Sequence, residues 1–314
     1  MTRRWLPFSE ARRGVVSGIL GLLAASVWRP GFAAGADQRL GRAEALRLLR
    51  KVRRWGCQYQ NLDIGELAAT PLDLIVVEHS LDDYAGRFMS PDEIAALKRK
   101  PDGSRRLVFA YLSVGEADVK RWFWPQAWRR RPPEWLGPEN RNWPGAFPVQ
   151  FWNPEWQELV FGLLDQLLAA GYDGALLDRV DSYVEWSPAN PNAGEEMASL
   201  VAAIAERARA RHPGFMLLPQ NAEDLLKNAR YRGAIDALNK ESLLTGLQGR
   251  DRLNAESDIR WSLDRLALAE RAGIKIFVTE YLENEALKEQ VRTSIRELGY
   301  TPFFGVSALD RSPE

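Results

Sequence analysis

The chain has 314 residues, with 42 basic and 42 acidic side chains and a formal net charge of zero. That length can bury one large α/β core, while the balanced charge gives no support to nucleic-acid or anionic-membrane binding, which needs a basic excess or a clustered basic face. A single cysteine, Cys57, excludes an internal disulfide, and with only His79 and His212 and no CxxC or HExxH spacing, neither a metal site nor a cofactor is expected.

In chain order, Arg12 and Arg13 precede an apolar run over 14–28, and the small residues Ala33-Ala34-Gly35-Ala36 follow. This is the pattern of an export signal over residues 1–36, and the paired arginines permit a twin-arginine route. The apolar run is short for a full span, so no stable membrane insertion is expected after signal removal. The mature domain is then 37–314, secreted or periplasmic.

Beyond the signal, leucines at helical spacing run from Leu40 to Val52. Strand-like runs then alternate with helical ones. The predicted strands are Trp55–Gln60, Leu72–Glu78, Leu107–Val114, Gly174–Asp178, Phe215–Pro219, Ala234–Asn239, Ile274–Glu280 and Pro302–Ser307. Apolar runs of this kind suit strands buried on both faces, and eight of them separated by helices predict a (β/α)8 barrel. Helix starts are signalled at Ser90-Pro91-Asp92-Glu93, a capping box with proline at the first helical position, and at Asn153-Pro154-Glu155. Glycines or Pro-Gly stop the helices that follow, at Gly171, Pro213-Gly214, Gly273 and Gly299.

The longest interruption is 115–152, after the third strand. It exceeds an ordinary βα connection and so reads as a functional insertion. Eight of the 12 tryptophans fall in or near it: Trp122, Trp124, Trp128, Trp135, Trp143, Trp152, Trp156 and Trp186. Indole faces stack on the apolar faces of sugar rings, so two or three should touch a carbohydrate while most pack the insertion onto the barrel.

Carboxylates recur at the C-terminal ends of the predicted strands. They are Glu78 with Asp82 and Asp83, Glu116 and Asp118, Asp178 and Asp181, Glu223 and Asp224, then Glu241 and Glu280. On a barrel these positions converge on one mouth. Crowded like charges force some to protonate or pair, and a raised carboxylate pKa is what a general acid needs. Two carboxylates suffice for glycoside hydrolysis, one donating a proton while the other attacks or activates water. An acidic mouth on a neutral chain also suits a cationic substrate. His79 beside Ser80 sets up no triad, and GxSxG is absent.

The segments AYLSVGEAD (Ala110–Asp118), PEWLGPENRNWPG (Pro133–Gly145), FWNPEWQ (Phe151–Gln157), GYDGALLDRVDSY (Gly171–Tyr183), PQNAEDLL (Pro219–Leu226) and FVTEYLEN (Phe277–Asn284) resemble glycoside hydrolase family 114. The resemblance runs from Trp55 to the C-terminus. It implies a (β/α)8 barrel and endo-α-1,4-polygalactosaminidase-like activity on a polysaccharide. It also implies catalytic carboxylates at the ends of the fourth and sixth strands, Asp178 and Glu241. Tyr111, Glu116, Asp181, Tyr183, Asn221, Glu280 and Trp152 are expected to line the site. Arg179 and Lys240 flank the pair; strand alternation would turn them away from the mouth, whereas inward-facing cations would hold both acids ionised and weaken the acid assignment. The alternatives are a sugar-binding barrel without catalysis and a glycosidase for a neutral glycan.

Overall fold

Short, almost wholly apolar runs form the eight parallel strands, because each must be buried on both faces. The computed structural model describes residues 39–81, 87–306, 309–310 and 313. The export-signal reading of 1–36, the rim residues Asp82 and Asp83, and the predicted strand end Ser307 lie outside the described residues.

After α1 (Arg42–Lys51) come β1 (Trp55–Gln58), α2 (Ile64–Ala69), β2 (Leu74–Val77), α3 (Pro91–Leu97) and β3 (Leu107–Ser113). The chain continues through α4 (Pro154–Ala170), β4 (Gly174–Asp178), α5 (Tyr183–Trp186), α6 (Ala193–Arg211) and β5 (Met216–Pro219). It ends with α7 (Ala229–Ala234), β6 (Ala237–Glu241), α8 (Glu256–Arg271), β7 (Lys275–Glu280), α9 (Glu285–Glu297) and β8 (Thr301–Phe304). Strands β1 to β5 pair in sequence order, and so do β6 to β8. A parallel bridge between Gln220 and Asn239 joins β5 to β6. At the other seam the Trp55 indole donates to the Thr301 carbonyl at 3.1 Å and packs on Phe303. The result is the (β/α)8 barrel that the alternating pattern predicts.

Alternation sorts the strand side chains into two cores. Trp55, Cys57, Leu74, Val76, Leu107, Phe109, Leu176, Met216, Leu218, Ala237, Phe277 and Phe303 fill the barrel, together with Ala45 and Leu49 of α1, which closes its N-terminal end. Their neighbours Ile75, Val77, Val108, Ala110, Ala175, Leu177, Leu217, Leu238, Ile276 and Val278 pack outward against the helices. Buried between them, the Arg106 guanidinium donates to the carbonyls of Leu67, Leu72 and Leu97 at 2.9–3.0 Å, tying α2 and α3 to the start of β3.

Only the fourth strand keeps its predicted bounds, and the sixth and eighth shift most. The sixth strand is predicted to start at Ala234, but Ala234 ends α7, whose cap Asn228 accepts from the Tyr231 amide; the strand begins at Ala237 and runs on to Glu241. The eighth starts one residue earlier than predicted and stops at Phe304. Both capped helices form as expected, with Ser90 and Glu93 in a reciprocal box and Gly171 in the left-handed region at φ 90°; such caps contribute about 1 kcal/mol each.

The insertion after β3 is pinned by a two-stranded antiparallel hairpin, Glu116–Asp118 against Ala146–Pro148. Trp124, Trp135 and Trp156 are buried in it, linked through Trp128 by ring contacts of 5.0–5.4 Å. The Trp156 indole donates to the Val114 carbonyl and the Trp135 indole to Glu155. These rings join the apolar layer outside the strands and so pack the insertion onto α4 and the barrel.

Candidate active site

Inward positions at the C-terminal ends of the strands are polar, and they follow from the same alternation. Leu176 is inside, so Asp178 is; Ala237 is inside, so Asn239 and Glu241 are. A chain of hydrogen bonds crosses the barrel just below the mouth. Thr279 Oγ1 donates to Asn239 Oδ1 at 3.1 Å, Asn239 Nδ2 to Gln220 Oε1 at 3.2 Å, and Gln220 Nε2 to Asp178 Oδ1 at 3.2 Å. A buried network with every member paired holds its side chains in one arrangement.

Asp178 takes two further donors, the Tyr111 hydroxyl at 2.6 Å and the Arg179 amide at 2.8 Å. Glu241 accepts from the Tyr281 hydroxyl and from Asn221 Nδ2 at 3.0 Å, while its own amide donates back to Asn221 Oδ1 at 3.0 Å. Burial first, and the neighbouring Asp178 charge second, push the Glu241 carboxyl above its ordinary value, against the opposing pull of Tyr281 and Asn221.

The backbone turns sharply behind each of these strand ends. Arg179, Asn221, Ala222 and Ser242 all lie at φ between 52° and 61°. Non-glycine residues avoid that region, and clusters of them occur where the surroundings enforce a site geometry. Gly115 makes one turn possible: a Cβ there would lie 2.2 Å from the Arg179 carbonyl and 2.1 Å from Ser182 Oγ.

Above the network opens a cavity of about 560 Å³, lined among others by Tyr59, Tyr111, Glu116, Asp178, Asp181, Asn221, Glu241 and Tyr281. Burial raises the carboxyls of both Glu116 and Asp181. Asn140, from the insertion, donates to Glu116 at 2.8 Å. At the β2 end, Glu78 is different. Burial alone would raise it, but Arg121, 2.8 Å away, and His79 hold it down at about 2.

Of the residues expected to line the site, the structure brings Tyr111, Glu116, Asp178, Asp181, Asn221 and Glu241 to this cavity. Tyr183 lines an adjoining pocket instead. Glu280 is placed elsewhere. Phe277 faces the barrel interior, so parity sends Glu280 outward, where it is fully buried and accepts from the Leu244 amide at 2.7 Å and Thr245 Oγ1 at 2.5 Å. The next residue, Tyr281, takes the inward place. Trp152 packs edge-on against Phe151 and Trp186 and does not line the cavity; from the insertion's tryptophans, Trp143 does.

Lys240 points outward as alternation requires and pairs with Glu223 at 3.3 Å. Arg179 does not: its left-handed backbone swings the guanidinium to the cavity edge, among Glu116, Asp181 and Glu185. Tyr59, Gln220 and Tyr281 went unnoticed in the sequence. Parity could have found all three, since each lies two residues past an inward position: Tyr59 after Cys57, Gln220 after Leu218 and Tyr281 after Thr279.

A (β/α)8 barrel with two hydrogen-bonded carboxylates, Asp178 and Glu241, lining one cavity at its C-terminal mouth has the groups that glycoside hydrolysis needs. Residues 39–310 match the model of glycoside-hydrolase family GH114, and the chain belongs to that family. It is 32% identical over 266 residues to a protein of Deinococcus radiodurans, covering 84% of this chain and 83% of the relative. A protein of Methanocaldococcus jannaschii is 29% identical over 264 residues, covering 81% of this chain and 75% of its own. In fold the chain is similar to the glycoside hydrolase domain of PelA from Pseudomonas aeruginosa (TM-score 0.65, 23% identity, 84% of this chain and 98% of that one). It is also similar to Aspergillus fumigatus Ega3, solved in complex with galactosamine (TM-score 0.62, 17% identity, 84% and 96%).

Proposed function

We propose that the protein is an exported endo-glycosidase that hydrolyses an amino-sugar polysaccharide, with α-1,4-linked galactosamine as its substrate. The observation that carries this reading is the pair in one cavity, Asp178 held by three donors and Glu241 with its carboxyl raised by burial. Glu241, protonated, gives its proton to the glycosidic oxygen as the bond to the anomeric carbon breaks. Asp178 attacks that carbon or takes a proton from the water that does. Tyr111 and Gln220 hold Asp178 in place, and Tyr281 and Asn221 do the same for Glu241.

Three features support the amino-sugar assignment. The mouth adds Glu116, Asp118 and Asp181 to the pair, which suits ammonium groups. Family membership supports it, and so does the galactosamine bound by Ega3. Export is supported by the signal pattern and paired arginines of residues 1–36.

The test is cleavage of a partly deacetylated α-1,4-galactosamine polymer, read by mass spectrometry for the mature protein, Asp178→Asn and Glu241→Gln. Internal fragments from the wild type alone are expected, with each variant losing about 10²–10⁴-fold in kcat. Binding without products in all three proteins would sink the enzyme reading for this polymer and leave a sugar-binding barrel. Affinity should also fall steeply with ionic strength, as it would for a cationic chain. A salt-insensitive KM would favour a neutral glycan.

A further inference from the structure

The catalytic cavity does not end at the carboxylates. Asp181, Asn221 and Glu241 also line a second hollow of about 330 Å³, which continues the cleft over the ends of β5 and β6. Its remaining walls include Tyr183, Val184, Leu247 and Trp261. Three of these are unusually bare for large apolar side chains: Val184 is 59% exposed, Leu247 57% and Trp261 45%. Scattered exposed apolar residues need no explanation, but a group of them converging on one hollow beside a catalytic site marks a ligand surface.

The Trp261 ring is also held. Arg265 stacks over one of its faces at 3.7 Å from the ring centroid, and the guanidinium is itself fixed by Asp224 at 2.7 Å. One turn of α8 therefore clamps the indole by a cation–π contact on one side. The next residue, Ser262, donates to the buried Glu223 at 2.8 Å, anchoring the helix at that point. Leu247 sits at the tip of the hairpin after β6, which Asn254 fastens through the Leu247 amide and the carbonyls of Ser242 and Leu243. Trp143 of the insertion lines the catalytic cavity at 62% exposure.

We infer that the second hollow is a sugar subsite, in which Trp261 seats a pyranose ring of the substrate chain at least one unit away from the bond being broken. Trp143 lines the cavity that holds Asp178 and Glu241, and Trp261 lines the hollow that adjoins it, so a polysaccharide running through both would meet an aromatic side chain in each. Flat aromatic faces match the C–H faces of sugar rings, and Asp181, shared by the two hollows, lies where it can meet an ammonium group between them. The subsite rests on the proposed glycosidase activity. It adds to that reading a reason for internal cleavage and a residue that sets the length of the products.

The experiment compares wild type, Trp261→Ala and Trp261→Phe on a size-separated series of galactosamine oligomers, with thermal unfolding as a control on folding. For Trp261→Ala, the loss in kcat/KM should grow with oligomer length to about tenfold on long chains, as expected for one lost aromatic contact. Its product lengths should shift, and Trp261→Phe should restore most of both. Equal kcat/KM ratios at every length with unchanged products would overturn the subsite while leaving the glycosidase standing. No cleavage of any oligomer by the wild type would remove the glycosidase reading and the subsite with it.

Discussion

Glu280 ends β7 as a candidate site residue by position, yet its carboxylate is turned away from the cavity, and this distinction can be tested. Both of its oxygens are occupied, one by the Leu244 amide and the other by Thr245 Oγ1, three and four residues past Glu241. Hydrogen bonds to a charged acceptor are worth roughly 1.5–3 kcal/mol each, and a buried donor left without one costs the desolvation it can no longer offset. Burial raises the Glu280 carboxyl, so part of that gain is already spent on desolvating the charge. Glu280→Ala, which strands both donors, should therefore cost about 3–5 kcal/mol. Glu280→Gln keeps one acceptor oxygen and should cost about 1–2 kcal/mol. For a domain of this size each kcal/mol moves the melting temperature by about 2–4 °C, so the alanine variant should unfold roughly 6–20 °C lower. In activity, the loosened loop should reduce kcat through misplaced Glu241 in Glu280→Ala, with KM little changed and Glu280→Gln close to wild type. Calorimetry and steady-state kinetics on the same preparations decide it. A Glu280→Ala variant that melts with the wild type but loses more than about a hundredfold in kcat would refute the reasoning, because a loss that large without destabilisation belongs to a group touching substrate.

Further outcomes follow from Glu241. Its carboxyl is raised, so the folded protein binds the proton more tightly than the unfolded chain; the stability this contributes is present at low pH and is lost as pH rises through the folded value. Glu241→Gln should accordingly melt above the wild type at pH 8, with the gap closing toward pH 5; a variant less stable at both would contradict the burial cost. In the proposed mechanism, where Glu241 donates the proton, its carboxyl would also set the alkaline limb of the activity profile. The Tyr281 hydroxyl favours its ionised form, so Tyr281→Phe should move that limb to higher pH. A limb that stayed or moved down in kcat against pH would mean that another group supplies the proton.

Much of the barrel is written locally. Apolar runs, a capping box at Ser90, proline at the first turn of α4 and glycine stops each act over a few residues, so their physics needs no knowledge of the rest of the chain. The same local signals place Asp178 and Glu241 at strand ends, and parity along β4 and β6 turns both inward. Where local signals conflict, the sequence is a poor guide. Ala234 reads as strand by its apolar neighbours, yet the Asn228 cap and the packing of Tyr231 make it the end of a helix. Glu280 and Tyr281 are adjacent; alternation from Phe277 gives the mouth to Tyr281, and the register of β7 against β6 and β8 is what sets Phe277 inward. Trp152 and Trp143 are both insertion tryptophans; the hairpin that folds the insertion back puts one into an aromatic core and the other over the cavity.

The sequence by itself determined the alternation of strands and helices and the chain's family, and it set Asp178 and Glu241 at or near strand ends. Those properties depend on near neighbours and on side-chain chemistry. Only the tertiary structure decided which carboxylates burial raises and which donors and cations oppose it, and that Arg179 swings to the cavity edge. It also decided that Trp261, 83 residues after Asp178 in the chain, stands along the same cleft. These are facts of long-range approach: burial and distance set the electrostatics of a site, and neither exists until eight strands from the whole length of the chain have closed into one barrel.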